Sequence, residues 1–151
     1  MEINLTDIVP HRAPMLILDR VISYSENNLT AAVKINEDSY GFEKNAVPAW
    51  YGIEYMAQAI AAFNGLNFSK LGQPEIGFLV GVRNFKTATA RFAVGMELEI
   101  YIEPNFIVEN SGSFVCAIKS GGEILAEATL TTYKPNFEYL DKIKGEINEQ
   151  Q

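Results

Sequence analysis

Glu54 is the only acid or base of ordinary pKa between Lys44 and Lys70, and the residues around it are mostly apolar. A carboxylate in such a setting is costly to keep ionised unless specific donors meet it, so it is expected to be either protonated or partnered. A carboxylic acid with a raised pKa can protonate a departing hydroxyl near neutral pH. The other use is structural, as a partner for a buried tyrosine or backbone donor, or as a group at a subunit seam. Gln58 lies one helical turn on, where it can orient Glu54 or hydrogen-bond across a core.

His11 is the single histidine, set between Pro10 and Arg12, and Cys116 is the single cysteine. One imidazole offers one general base, at the entry to an extended segment. One histidine and one cysteine rule out a multi-histidine or thiolate metal site, so no metal is expected. No Gly-rich phosphate loop occurs, and no cofactor is expected. Pro48 precedes Trp50, Tyr51 and Gly52, whose backbone N–H groups would stand at a helix start and could polarise a thioester carbonyl.

The element that must position Glu54 is a helix predicted over 50–71. Ile53, Met56, Ala57, Ile60, Ala61 and Phe63 recur at three- and four-residue spacing, between Pro48 and Gly72. Its lack of charge predicts burial nearly all round, with Glu54 as one buried carboxylate. Strands are predicted over 15–24, 29–36, 76–85, 96–106, 113–120 and 124–133, with 37–47 as loop. Leu98, Ile100 and Ile102 alternate with Glu97, Glu99, Tyr101 and Glu103, which marks a sheet with one wet face. Ser120-Gly121-Gly122-Glu123 supplies a hairpin turn. About six strands and one long helix give an α+β class, with a curled antiparallel sheet wrapped around the helix. One sheet covers only part of such a helix, so a dimer joining two sheets edge to edge is expected.

At 151 residues and 48% hydrophobic composition the chain suits one domain over 1–151, with 136–151 as a polar tail whose last ten residues are read as a short amphipathic helix or disordered. The net charge of −7 disfavours nucleic acid and anionic membranes as partners. Lys70, Arg83, Lys86 and Arg91 against Glu75 nevertheless form a local basic excess where an acidic partner could dock. No apolar run approaches the roughly 20 residues of a membrane span, and no signal peptide is legible, so a cytoplasmic location is expected.

The run Val9-Pro10-His11-Arg12-Ala13-Pro14-Met15-Leu16-Ile17-Leu18-Asp19-Arg20-Val21 resembles the opening of the hot-dog 3-hydroxyacyl-acyl-carrier-protein dehydratases. Val47-Pro48 followed by Ile53-Glu54-Tyr55-Met56-Ala57-Gln58 resembles their central-helix motif, with the catalytic carboxylate at Glu54. Gly77-Phe78-Leu79-Val80-Gly81-Val82 and Glu127-Ala128-Thr129-Leu130 resemble their later strands, so the likeness covers most of residues 5–135. The form Val47-Pro48-Ala49-Trp50 is most similar to the ApeP-like branch, associated with aryl polyene biosynthesis.

The resemblance implies the hot-dog fold and dehydration of a fatty-acid-like or polyketide-like acyl thioester carried by acyl carrier protein. Glu54 would assist departure of the C3 hydroxyl, and Tyr40, Pro48, Trp50, Tyr51, Gly52, Gln58, Val80 and Gly81 would contact substrate. It also implies a homodimer, or a heterodimer with a related hot-dog chain. In one respect the chain departs from the family: counting back from Glu54, the slot of the usual catalytic histidine holds Tyr40. A phenol with pKa near 10 is a poor base at neutral pH. The base is then either His11 or a histidine of a partner chain. The competing readings are a catalytically silent acyl-binding subunit and an acyl thioesterase.

Overall fold

The structure is a computed structural model and describes residues 3–135. Eight strands and one α-helix follow in the order β1 (Arg20–Tyr24), β2 (Leu29–Lys34), β3 (Ala46–Pro48), α1 (Gly52–Phe68), β4 (Phe78–Thr87), β5 (Arg91–Ala93), β6 (Glu97–Val108), β7 (Ser111–Ser120) and β8 (Glu123–Tyr133). Six of the strands form one antiparallel sheet in the order β1-β2-β6-β7-β8-β4, while β3 and β5 pair separately. This is the α+β arrangement expected, a sheet curled around a single long helix.

The alternation read in β6 sets the inner face of the sheet. Leu98, Ile100 and Ile102 are fully buried, and their β2 partners Val33, Ala31 and Leu29 are buried with them. On α1 the matching apolar face carries Tyr55, Met56, Ala59, Ile60, Ala62 and Phe63. Phe63 meets Phe114 of β7 edge-on, with ring centroids 5.9 Å apart, an arrangement worth about 0.5–1.5 kcal/mol beyond the area buried. At the far end of β7 the chain reverses through Gly121 and Gly122, both at positive φ, the requirement of a tight two-residue hairpin.

Several expectations are corrected. The first strand pairs only from Arg20, because the backbone N–H of Ile17 and C=O of Met15 bond to the Gln58 side chain instead of to a neighbouring strand. The segment read as loop over 37–47 ends in β3, a strand too short for periodicity to reveal. The α-helix runs over Gly52–Phe68, inside the predicted 50–71. Ala49–Tyr51 form a 3-10 turn ahead of it, and Lys70 bridges to Gln73 around Gly72, which has positive φ.

Burial of the helix nearly all round does not occur. Glu54, Ala57, Ala61 and Asn64 are only partly covered and Phe68 is exposed, so one stripe of α1 faces away from the sheet. The sheet closes over one side of the helix and leaves the other to an open groove. No helix among the described residues is long and apolar enough to cross a membrane. The reading of residues 142–151 falls outside the described residues.

Candidate active site

Residues 5–12 wind across the uncovered side of α1. Asn4 caps a 3-10 turn at Leu5–Asp7 by accepting from the Thr6 N–H at 3.2 Å. Ile8 and Val9 then bury against the helix at Gly65, where a Cβ would stand only 1.9 Å from the Ile8 carbonyl oxygen. Only glycine admits that crossing. Arg12 folds back on the loop that follows, its guanidinium donating to the carbonyls of Val9 at 2.8 Å, His11 at 2.8 Å and Thr6 at 3.1 Å. Three backbone acceptors on one planar donor hold this loop in shape.

The held loop presents His11 to the helix. Its Nε2 lies 3.9 Å from Glu54 Oε1, too long for a hydrogen bond and close enough for charge to matter. Burial lowers the pKa of His11 below its ordinary 6.5, as does the Arg12 charge more weakly, while Glu54 pulls the other way. The imidazole is therefore neutral at pH 7, the form that can accept a proton. Its Nδ1 is buried without a hydrogen-bond partner among the described residues.

Glu54 is not the buried carboxylate expected, since 42% of its side chain is exposed to the groove. It meets a donor nonetheless: Gln58 Nε2 reaches Oε1 at 2.9 Å. Gln58 is fully buried, and it also donates to the Met15 carbonyl at 2.6 Å and accepts from the Ile17 N–H at 2.9 Å. The two uses read for this residue are thus one: the amide that ties residues 15–17 to α1 also fixes the carboxylate.

His11 and Glu54 stand on a groove of about 390 Å³ that follows the free stripe of α1. Ala57, Ile60, Ala61, Phe68, Leu79 and Phe114 give its walls apolar surface. Asn64, Glu75, Glu109, Asn110 and Lys134 line it as well, so the groove is apolar along part of its wall and polar along the rest. Ala57, Ile60 and Ala61 were read from the sequence as apolar helix positions and not as a groove wall, although the spacing 54, 57, 61, 64, 68 marks one helix face.

Most other expected contact residues lie elsewhere. Tyr40 does not line the groove; its ring packs edge-on to Tyr51, with centroids 5.9 Å apart, beside a separate depression. Pro48 is buried in β3 and Trp50 is 64% exposed. The Gly52 N–H already bonds to the Ala49 carbonyl, so it is not free to polarise a substrate. Tyr51 and Gly52 are also absent from the groove wall, because the chain enters α1 through a 3-10 turn packed on Phe92 and Ile118. On β4 the wall ends at Leu79, leaving Val80 exposed outward and Gly81 against Thr131.

The fold is the hot-dog fold, shared with solved structures such as PaaI of Thermus thermophilus (14% identity, TM-score 0.60) and zebra fish thioesterase superfamily member 2 (13%, TM-score 0.63). A much closer likeness joins it to a chain of the dehydratase heterocomplex ApeI:P from Xenorhabdus doucetiae. There the TM-score is 0.83 at 28% identity, over 95% of this chain and 98% of that one. The family model described as ApeP-like, ApeP dehydratase, matches residues 3–144, and the chain belongs to that dehydratase family. Among curated relatives, the 3-hydroxyacyl-[acyl-carrier-protein] dehydratase FabZ of Vibrio vulnificus is 28% identical, over 89% of this chain and 93% of its own length. The FabZ of Yersinia enterocolitica is 31% identical over 84% and 79%.

Proposed function

We propose that this chain dehydrates a 3-hydroxyacyl thioester carried by acyl carrier protein, with its own His11 and Glu54 as the reacting pair. The observation that carries the reading is that one imidazole and one carboxyl group face each other at 3.9 Å on a single groove. His11 takes the C2 proton, the C2–C3 double bond forms, and the C3–O bond breaks as Glu54 gives its proton to the leaving hydroxyl. The products are the 2-enoyl thioester and water. The proton left on His11 returns to Glu54 through water in the groove, because 3.9 Å is too long for direct transfer, and both groups are reset.

A fatty-acid-like or polyketide-like acyl chain, as in aryl polyene biosynthesis, suits the groove. Carrier-protein dependence gives a cytoplasmic setting. A related hot-dog chain, or a second copy, is the partner the reading needs at β4, where Phe78, Leu79, Val80 and Val82 are all exposed along the free edge of the sheet. The wall between groove and β4 is then completed by the partner.

The deciding experiment incubates purified protein with a 3-hydroxyacyl-carrier-protein and resolves the products. Enoyl product supports the dehydratase reading. Free carrier thiol would replace it with hydrolysis, and unchanged substrate, alone and with a related hot-dog chain added, would leave a silent acyl-binding subunit.

A further inference from the structure

The groove beside His11 and Glu54 changes character along its length. Ala57, Ile60 and Ala61 of α1 and Phe114 of β7 make its middle apolar. Strand β7 runs backward along the helix, since Gly52 packs on Ile118 and Phe63 packs on Phe114. Followed past Phe114, it leads to the β6–β7 turn at Glu109 and Asn110, which lines the groove together with Phe68 and Ser69 at the end of α1. From Glu54 to Phe68 the helix rises about 21 Å. The polar turn therefore stands at the end of the groove away from the reacting pair.

A pair of opposite charges crosses that end. The Lys134 ammonium meets the Glu75 carboxylate, and the Lys134 N–H donates to the Asn110 carbonyl at 2.8 Å, so pair and turn are held together. The two side chains are 35% and 46% exposed, so water still reaches both ions. Glu109 brings a second carboxylate to the same end. A methyl group pressed against these charges would strip their water and offer no hydrogen bond in return, which is costly for charged groups. Exposed as it is, the pair contributes little to folding.

We propose that Glu75 and Lys134 are specificity-determining residues that end the acyl groove: a chain gains affinity with each added carbon until its methyl end meets the ion pair, and gains nothing beyond. Placing an acyl chain in this groove rests on the dehydratase reading. The stop is electrostatic and not steric, because both side chains are long, partly exposed and able to swing aside. A terminal hydroxyl can donate to Glu75 and leave Lys134 a lone pair to meet, so a chain that ends in one escapes the penalty.

The test titrates the full chain with saturated acyl thioesters of N-acetylcysteamine, from octanoyl to stearoyl, none of which can be dehydrated. In wild-type protein the affinity should rise roughly fourfold per methylene and then level off. At the levelling length, the same chain with a terminal hydroxyl should bind roughly tenfold more tightly than the methyl-ended one. Glu75→Met with Lys134→Met removes both charges at similar bulk, so affinity should keep rising past that length and the hydroxyl should lose its advantage. Glu75→Lys with Lys134→Glu restores a pair in reverse and should keep the stop. A wild-type series that never levels, or one that levels alike for methyl and hydroxyl ends, would overturn the proposal, and both outcomes are read whatever the stability of the variants. Levelling retained in the double Met variant would overturn it too. Affinity that levels as described in a chain that forms no enoyl product would remove the dehydratase reading and leave the stop in place. Enoyl product without any levelling would do the reverse, and no binding at any length would remove the acyl groove itself.

Discussion

His11 and Glu54 come from segments 43 residues apart in sequence, yet the two side chains of one chain face each other with Nε2 and Oε1 at 3.9 Å. Arg12 fixes the first through its loop and Gln58 fixes the second through its amide. Both reacting groups that the proposal requires are therefore present before any partner chain is considered.

Replacing Glu54 with Gln keeps its size and its contact with Gln58 while removing the transferable proton. Dehydration should fall by roughly 10²-fold or more, the usual scale of general acid catalysis. Because Glu54 is substantially exposed, the melting temperature should hold. Full activity in Glu54→Gln, measured on carrier-bound substrate, would remove this residue from the reaction.

The pH profile reports on His11. Burial places its pKa below 6.5, and the base must be neutral, so the acid side of the kcat/KM profile should fall along a limb centred below 6.5. His11→Ala should abolish that limb and most of the activity. The same shift affects folding. The unfolded chain takes up the proton more readily than the folded one, so stability is full above 6.5 and declines as pH falls through 6.5 toward the folded value. Denaturant melts between pH 5 and 7.5 on wild type and His11→Ala would show the difference.

Gln58→Leu should cost both stability and rate. The Ile17 N–H and the Met15 carbonyl would lose their partner, at about 1–3 kcal/mol for each group left unsatisfied. Glu54 would lose its orienting donor too, so kcat should drop more than KM rises. Gln58→Glu, which keeps the acceptor but sets a second carboxyl beside Glu54, should displace the acid limb of the profile. A profile unmoved in Gln58→Glu would mean that the residue only braces the fold.

Gly65 is eleven residues from Glu54, yet Gly65→Ala should still reach the chemistry. Its new methyl would press on backbone, the Ile8 carbonyl, and the segment leading to His11 would have to lift. Overpacking of this kind costs typically about 1–3 kcal/mol. Thermal melts should register that loss, and turnover should fall while substrate with the acyl chain removed still binds. Unchanged activity would show that the His11 loop is held by Arg12 alone.

β6 and the helix were legible because alternation and helical spacing run through them, as Leu98-Ile100-Ile102 and Ile53 to Phe63 show, whereas β1 and β4 carry no such alternation of buried and exposed residues. β3 and β5 were not, since three-residue strands carry no periodicity and owe their pairing to contacts 45 residues apart. Glu54 stood out as a lone charge, but its exposure could not be read. An apolar stripe of alanines looks the same in sequence whether a sheet or an empty groove lies against it. Tyr40 packs on Tyr51 beside a separate depression, and Trp50, read at a helix start, lies exposed in the 3-10 turn that precedes α1; neither placement follows from local spacing.

Ala57 and Ala61 line the groove between Glu54 and Phe68 on the free stripe of α1. As the smallest side chains on that stripe, they act as a ruler, fixing depth without touching the atoms that react. A larger residue at either place would shorten the trough from below and leave His11, Glu54 and Gln58 in register. On the proposed reading, the residues that would set the length of the acyl chain are thus different from those that would break the bond, although one helix carries Glu54, Ala57 and Ala61.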